Sequence, residues 1–260
     1  MSEQVKSQFP TEIIDLPSKG KLYPKEHPFS SGKVEMRYMT AKEEDILTSR
    51  NLIQKGVVLD KLLESVIIDD NVSLDDLLLG DKNAIMIATR VLGYGKDYSV
   101  QLTDPSTGDK QKETFDLTLI KDKEINTKLF KGGKNEFDFE LPASKTKITF
   151  RLLTHKEEKE IEAELKALKK FQKDSGITSE ITTRLKKAVL SVNGDNSTKR
   201  IVEFVDNELL SRDSLALREH LTEITPDVDM SFTFTSDTTG EDTTMDIPLD
   251  VEFFWPAGRR

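Results

Sequence analysis

The stretch VEMRYMTAKEEDIL, residues 34–47, returns in changed form as ITFRLLTHKEEKEI, residues 148–161, after a constant offset of 114 residues. Five identical positions are Arg37 and Arg151, Thr40 and Thr154, Lys42 and Lys156, Glu43 and Glu157, and Glu44 and Glu158. Similarity at a fixed distance along a chain is the sequence sign of a repeated unit. The sequence therefore predicts an internal duplication, against the alternative of chance similarity between charged helices and polar turns.

A second set of matches has an offset of 132 residues and covers the last part of each unit. It pairs Asp81, Ala84, Ser99, Thr103, Thr107, Gly108 and Leu117 with Asp213, Ala216, Ser231, Thr235, Thr239, Gly240 and Leu249. The stretches DLPSKGK and ELPASKT open the two units. We therefore expect a flexible N-terminus (1–10), a first repeat (11–119), a linker (120–135), a second repeat (136–251) and a C-terminal aromatic tail (252–260).

Both repeats are predicted to start with a short strand that leads into a capped helix. Apolar residues alternate in residues 34–38 and 148–152, as they do in a strand with one buried face. A Thr followed three residues later by a Glu forms a capping box, in which the two side chains satisfy free amides at the start of a helix. We therefore expect helices to begin after Thr40 and Thr154.

Further helices follow in each repeat. In the first repeat one apolar helix face is predicted by residues spaced at i, i+3, i+4 and i+7, which are Leu59, Leu62, Leu63 and Val66. The next helix is predicted to have Asp81 as its N-cap and Gly93 at its C-terminal end. The expected fold class is α+β, in which each copy has a short strand, several helices and a β-hairpin.

The hairpin closes each repeat and has a polar turn that contains Gly. Its strands are predicted as YSVQL and ETFDLTL in the first copy, and as MSFTFT and TMDIPLDVEFF in the second. The turns TDPSTGD (103–109) and TSDTTGE (235–241) are similar to metal-binding knuckles that lack their Cys residues. The pattern fits a zinc ribbon that has lost its metal, and equally an ordinary hairpin turn. The residues at the ligand positions, Asp104, Thr107, Ser236 and Thr239, are poor zinc ligands, so no metal or other cofactor is expected.

Composition excludes several classes of protein. The 260 residues include no Cys, so disulfides and thiolate metal sites are impossible. A net charge of -9 and 7% aromatic residues argue against binding to nucleic acid. The polar N-terminus and the lack of a long apolar run predict no membrane segment and a place in the cytoplasm or in a particle assembled there.

Sites for catalysis are also poorly represented. LGYGKDY, residues 92–98, lacks the spacing of a phosphate-binding loop and follows a predicted helix. His27, His155 and His220 share no metal-ligand spacing, and no nucleophile has a recognisable motif. We expect a protein that is not an enzyme. The alternatives are a metal-free ribbon that binds nucleic acid, and an enzyme whose site is too dispersed to recognise.

Several stretches together resemble the baseplate hub assembly proteins of T-even-like contractile-tailed phages. They are LPSKGKLYP, VEMRYMTAKEEDIL, LLLGDKNAIMIATRVLGYGKDY and IPLDVEFFWP, and ELPASKTKITFRLLTHKEEKEI is similar to shorter hub proteins of that group. The resemblance implies a non-enzymatic role, as a hub subunit or assembly chaperone, in host cytoplasm during assembly or in the tail baseplate. It also implies binding to other tail proteins, such as hub subunits or the tape-measure protein. It brings no catalytic residues.

The C-terminal tail is the candidate partner-binding site. Phe253, Phe254 and Trp255 are adjacent, and alternation along a strand can bury only part of such a cluster. The remainder is expected either to pack against the first repeat or to be an aromatic anchor for another tail protein, since such residues dominate binding energy at many interfaces.

Overall fold

The computed structural model describes residues 10–171, 178–249 and 251–254. In these residues the chain forms eight α-helices and nine β-strands. The helices are α1 (Ala41–Thr48), α2 (Arg50–Lys55), α3 (Val58–Val66), α4 (Leu79–Tyr94), α5 (His155–Phe171), α6 (Glu180–Ala188), α7 (Thr198–Glu203) and α8 (Ser211–Ile224). The strands are β1 (Thr11–Asp15), β2 (Lys33–Arg37), β3 (Asp97–Thr103), β4 (Lys110–Asp116), β5 (Phe137–Glu140), β6 (Lys147–Phe150), β7 (Val189–Val192), β8 (Ser231–Thr235) and β9 (Asp242–Asp246).

The strands form four small sheets, and every strand pair in them is antiparallel. β1 pairs with β2, β3 with β4, and β8 with β9, whereas β5, β6 and β7 form a three-stranded sheet with β6 in the centre. The mixed α and β composition with small antiparallel sheets agrees with the predicted α+β class. Residues 1–9 of the predicted flexible N-terminus lie outside the described ranges.

Both predicted capping boxes are present. The Glu43 carboxylate accepts hydrogen bonds from the backbone N of Thr40 (2.8 Å) and from its hydroxyl (2.7 Å) just before α1. The Glu157 carboxylate accepts the same two bonds from Thr154, at 2.9 and 2.6 Å, before α5. These contacts satisfy free groups at each helix start, and both predicted starts are confirmed.

Helix α4 begins earlier and ends later than the sequence predicted. Its N-cap is Leu78 and it is followed by Gly95, which has a positive φ of 83°. Asp81 is therefore inside the first turn, and Gly93 lies within the helix. The N-cap assignment of Asp81 was wrong because its carboxylate binds a distant loop instead of the amides of its own helix.

One hydrophobic core runs through both predicted repeats. It includes Leu16, Met36 and Leu62 from the first and Phe150 and Leu217 from the second. The apolar face predicted for α3 is confirmed, since its Leu62, Leu63 and Val66 are buried and Leu59 packs against the core. No helix in the described ranges combines the length and the apolar character that a bilayer crossing requires.

Candidate functional site

The two hairpins pack against each other and form a junction between the halves of the chain, residues 11–119 and 136–251. The Phe115 ring on β4 meets the Phe232 ring on β8 edge to face, with centroids 4.6 Å apart. The Gln111 side chain donates to the carbonyl of Thr235 (3.0 Å) and accepts from the backbone N of Asp237 (2.9 Å). Side chains of one hairpin thus bind backbone groups of the other.

The hairpin turns meet through Asp104 and Ser236. The Asp104 carboxylate accepts hydrogen bonds from the backbone N of Ser106 (2.8 Å) and Thr107 (3.3 Å) in its own turn. The Ser236 hydroxyl donates to the other oxygen of that carboxylate at 2.5 Å, and both side chains are buried. Hydrogen bonds from Ser106 and Ser236 lower the pKa of Asp104. Asp104 therefore stays ionised and bridges the turns.

Ser236 has the corresponding role in the second turn. Its hydroxyl oxygen accepts from the backbone N of Thr238 (3.3 Å) and Thr239 (3.0 Å). Thr107 and Thr239 contribute their own backbone N atoms to these contacts. In the part of the chain that the structure describes, no group of three or more His, Asp or Glu side chains is arranged to hold a metal ion. Resemblance to a zinc ribbon remains a prediction.

The chain that leaves each hairpin contacts the other half. After β4, the backbone N of Lys123 donates to the carbonyl of Asp227 at 2.7 Å. After β9, the carbonyl of Phe253 accepts from Nε of Arg90 on α4 at 3.0 Å. The two tails are therefore exchanged between the halves, which ties the halves together at two separate places.

The predicted partner-binding residues do not form an exposed cluster. Phe253 and Phe254 are both 0% exposed and lie in a 3-10 turn, Val251–Phe254. The Phe253 ring packs edge to face on Tyr98 of β3, with centroids 4.9 Å apart. Of the two alternatives expected for these residues, packing against the first half is the one in which Phe253 and Phe254 are found, and neither is an exposed anchor. Trp255 lies outside the described residues.

The predicted strand that was to carry this cluster is shorter than expected. β9 ends at Asp246, and Pro248 follows it. Proline lacks the N–H that a strand ladder uses. The chain can therefore leave the hairpin at this point and reach α4 in the other half.

Asp81, which was predicted as the N-cap of α4, is a buried carboxylate that binds another part of the chain. It accepts hydrogen bonds from the backbone N of Ser18 (2.9 Å), the Ser18 hydroxyl (2.7 Å) and the Tyr23 hydroxyl (2.6 Å). Burial raises the pKa of Asp81, and it also raises the pKa of Tyr23, with a further contribution from the charge of Asp81. These contacts fix the loop after β1 to the start of α4.

Asp213 has a similar place in the second half. It is 0% exposed, lies in the first turn of α8, and accepts from the backbone N of Ala143 (2.7 Å) and Ser144 (3.0 Å). Burial opposes its ionisation, but these hydrogen bonds outweigh burial and lower its pKa. The signal that could have found both contacts is the paired match of the two Asp residues and of the DLPSKGK and ELPASKT stretches.

A second polar cluster links three helices and was missed because its members are distant in sequence. Nζ of Lys82 lies 3.0 Å from Nδ1 of His155, and Nε2 of His155 lies 2.8 Å from Oδ1 of Asp60. Burial lowers the pKa of Lys82. The three side chains are largely buried and none of them lines the groove described next. They connect α3 and α4 of the first half to α5 of the second.

An open groove of about 1040 Å³ lies beside the junction. Most of its lining comes from α6, α8 and the residues on either side of the second hairpin, and the rest comes from Leu79 and Asn83 of α4, Lys123, Leu152 and Leu153. Its apolar lining includes Leu185, Leu221, Met230 and Leu249, and the rim residue Ile181 is 48% exposed. The groove could hold an apolar segment of a partner, whereas the clusters described above use their polar groups within the chain.

Comparison with known proteins gives one match. A family model described as T4 bacteriophage base plate protein matches residues 9–255. No curated protein and no solved structure matches the chain. The matched range contains both halves, the exchanged tails up to Trp255 and the groove. The chain therefore belongs to the family of T4 bacteriophage base plate proteins, and its role is a structural one in the baseplate of a phage tail.

Proposed function

We propose that the protein is a component of the baseplate hub, acting in hub assembly as a structural subunit or as an assembly chaperone. The observation that carries this proposal is the family match over residues 9–255, which supports a baseplate role for the whole chain. The resemblance of its sequence to hub assembly proteins narrows that role to the hub. It acts in the host cytoplasm, where the baseplate is built, and as a subunit it would remain in the tail.

The proposed role needs no catalysis. The buried ionisable groups, such as Asp81, Asp213 and Lys82, form hydrogen bonds that join loops and helices of the chain itself. Burial causes the pKa shifts of Asp81 and Lys82, and hydrogen bonds cause that of Asp213, so each shift has a structural cause. The partners expected are hub subunits and the tape-measure protein.

The chain is also proposed to have arisen by duplication, with repeats at 11–119 and 136–251. Repeated contacts support this origin: the two capping boxes, the two buried Asp residues bound to matching loops, and the two hairpin turns. Ile67 after α3 forms a bridge with Met36, and Val189 after α6 pairs with Phe150. Since Met36 and Phe150 are aligned by the offset of 114, this fourth repeated contact supports the same alignment.

Co-purification tests the hub assignment. We would express the tagged protein together with the hub subunits and the tape-measure protein of the same phage, and analyse the complexes by size-exclusion chromatography and mass spectrometry. Stable co-elution with at least one of them is expected. Co-elution only with baseplate proteins outside the hub would overturn the hub role while leaving the family assignment in place.

Mass spectrometry of purified virions and of infected-cell lysate distinguishes a structural subunit from an assembly chaperone. A structural subunit is expected in both samples at a fixed ratio to other hub proteins. An assembly chaperone is expected in the lysate alone.

A further inference from the structure

The first half holds two buried aromatic side chains that come from the second hairpin's tail. Phe253 binds Arg90 through its carbonyl and packs on the Tyr98 ring. Phe254 packs edge to face on Phe253, with centroids 5.3 Å apart. We call the surface formed by α4 and the start of β3 the filled face, since this pair covers it.

The offset of 132 residues gives the corresponding surface in the second half. It places Thr222 of α8 where the filled face has Arg90, and Met230 where it has Tyr98. Both Thr222 and Met230 line the open groove. Leu249, which also lines the groove, corresponds to Leu117 beside the filled face. The groove is therefore the second half's version of the filled face.

Among the residues that the structure describes, the tail of the first hairpin brings no aromatic pair to this groove. The same offset gives Phe253 and Phe254 the counterparts Lys121 and Asp122, which are polar and exposed. The carboxylate of Asp122 accepts a hydrogen bond from Nζ of Lys19 at 2.5 Å. The first tail thus reaches the second half without an aromatic pair, and the groove is open as formed by residues 10–171, 178–249 and 251–254.

We propose that the groove binds a segment of another tail protein that carries two adjacent large aromatic side chains. The inference rests on the proposed duplication, because that alignment identifies the groove with the filled face. Its volume of about 1040 Å³ is at the upper end of the range of pockets that enclose small ligands. Aromatic side chains seated in such pockets commonly supply most of the binding energy.

The lining of the groove is mixed in charge, and contains Lys123, Arg184, Arg218, Glu180, Asp227, Asp229 and Asp246. Arg218 of α8 is exposed and has no ion pair within 4 Å among the residues that the structure describes. The chain's own covering segment, PLDVEFF at residues 248–254, has acidic residues directly before its two Phe residues. Because this segment covers the filled face, we expect the groove to bind a segment of similar sequence.

The peptide PLDVEFF-amide, labelled with fluorescein at its N-terminus through a Gly-Gly spacer, tests the proposal by fluorescence anisotropy with the purified full chain. Saturable binding is expected, and the variant peptide PLDVEAA should bind at least tenfold more weakly. Ile181→Glu, on the groove rim, should weaken binding of the first peptide at least tenfold. Ile53→Glu is the matched control, because Ile53 is a helical isoleucine of similar exposure (43% against 48%) that does not line the groove, and it should leave binding unchanged.

Three results would overturn the proposal. They are the absence of saturable binding, equal binding to Ile181→Glu and the unchanged protein, and a homodimer of the unchanged protein that Ile181→Glu abolishes. The last result would make a second copy the occupant. Circular dichroism confirms beforehand that both variants are folded. Because hub co-purification is measured separately, failed peptide binding with intact hub binding would overturn the groove assignment alone.

Discussion

The two halves of the chain use similar contacts, but the first half buries them more completely. The donors to Asp81 belong to the buried residues Ser18 and Tyr23, whereas the donors to Asp213 belong to the exposed residues Ala143 and Ser144. The filled face of the first half is covered by Phe253 and Phe254, and its counterpart in the second half is an open groove. This difference is the reason why the groove of the second half, and not the filled face, is proposed to bind a partner.

The largest effect on the free energy of unfolding, and the largest difference between the halves, is expected when the two buried carboxylates are removed. Asp81→Ala should lower the free energy of unfolding by roughly 3 to 5 kcal/mol, since each buried donor left without an acceptor costs about 1 to 3 kcal/mol and the losses are not fully additive. Asp213→Ala should cost less, roughly 1 to 3 kcal/mol, because its donors belong to the exposed residues Ala143 and Ser144 and can bind water once the carboxylate is gone. Urea unfolding followed by circular dichroism measures both. Equal losses would remove this contrast between the halves.

A smaller effect is expected at the first capping box, and it depends on pH. Burial opposes ionisation of Glu43, but hydrogen bonds from Arg37 and Thr40 lower its pKa to about 2, from 4.5. Because the folded-state pKa is lowered, its stabilisation is present above about pH 4.5 and is lost as the pH falls towards 2. Glu43→Gln should therefore destabilise the protein at pH 7, on the order of 2 to 3 kcal/mol, and much less at pH 2.5.

Urea unfolding at a series of pH values measures this dependence. Glu44→Gln is the control, because Glu44 is exposed in the same helical turn, and it should change stability little at pH 7. A Glu43→Gln variant that loses the same free energy at pH 2.5 as at pH 7 would show that the charge of Glu43 is not the source of the stabilisation.

The smallest effect is expected where the hairpin turns meet. Ser236→Ala removes the hydrogen bond to Asp104 and the acceptor for two amides of its own turn, and should lower Tm by about 2 to 6 °C. Asp104→Ala should also lower Tm. Since the two side chains share a hydrogen bond, the Tm of the double variant should fall by less than the sum of the decreases in the two single variants. Differential scanning calorimetry of the four proteins measures this coupling, and strictly additive losses would mean that the turns do not support each other.

The elements that follow local rules could be predicted from the sequence. The capping boxes at Thr40 and Thr154 and the two hairpins depend on residues a few positions apart, and the structure contains all of them. The apolar face of α3 was predictable for the same reason. Chain periodicity is enough to determine such elements.

Contacts between distant residues could not be predicted in this way. Asp81 has the residue type and position of an N-cap, yet its partners lie 58 to 63 residues earlier. The bond between Asp104 and Ser236 spans 132 residues. Phe253 and Phe254 were expected at the end of a strand, but their segment leaves the hairpin and packs on the other half. Local sequence pattern predicts which side chains are buried, but their partners depend on the tertiary fold.

The exchanged tails have a consequence for the order in which the protein is made. Arg90 emerges from the ribosome long before its partner Phe253, since the two residues are 163 positions apart. The nascent first half therefore cannot cover its aromatic-binding face until translation has passed residue 254. A ribosome that stops earlier would release a chain with that face uncovered, and such apolar surface attracts chaperones and proteases. The crossing of the tails thus makes completion of the first half depend on synthesis of the second.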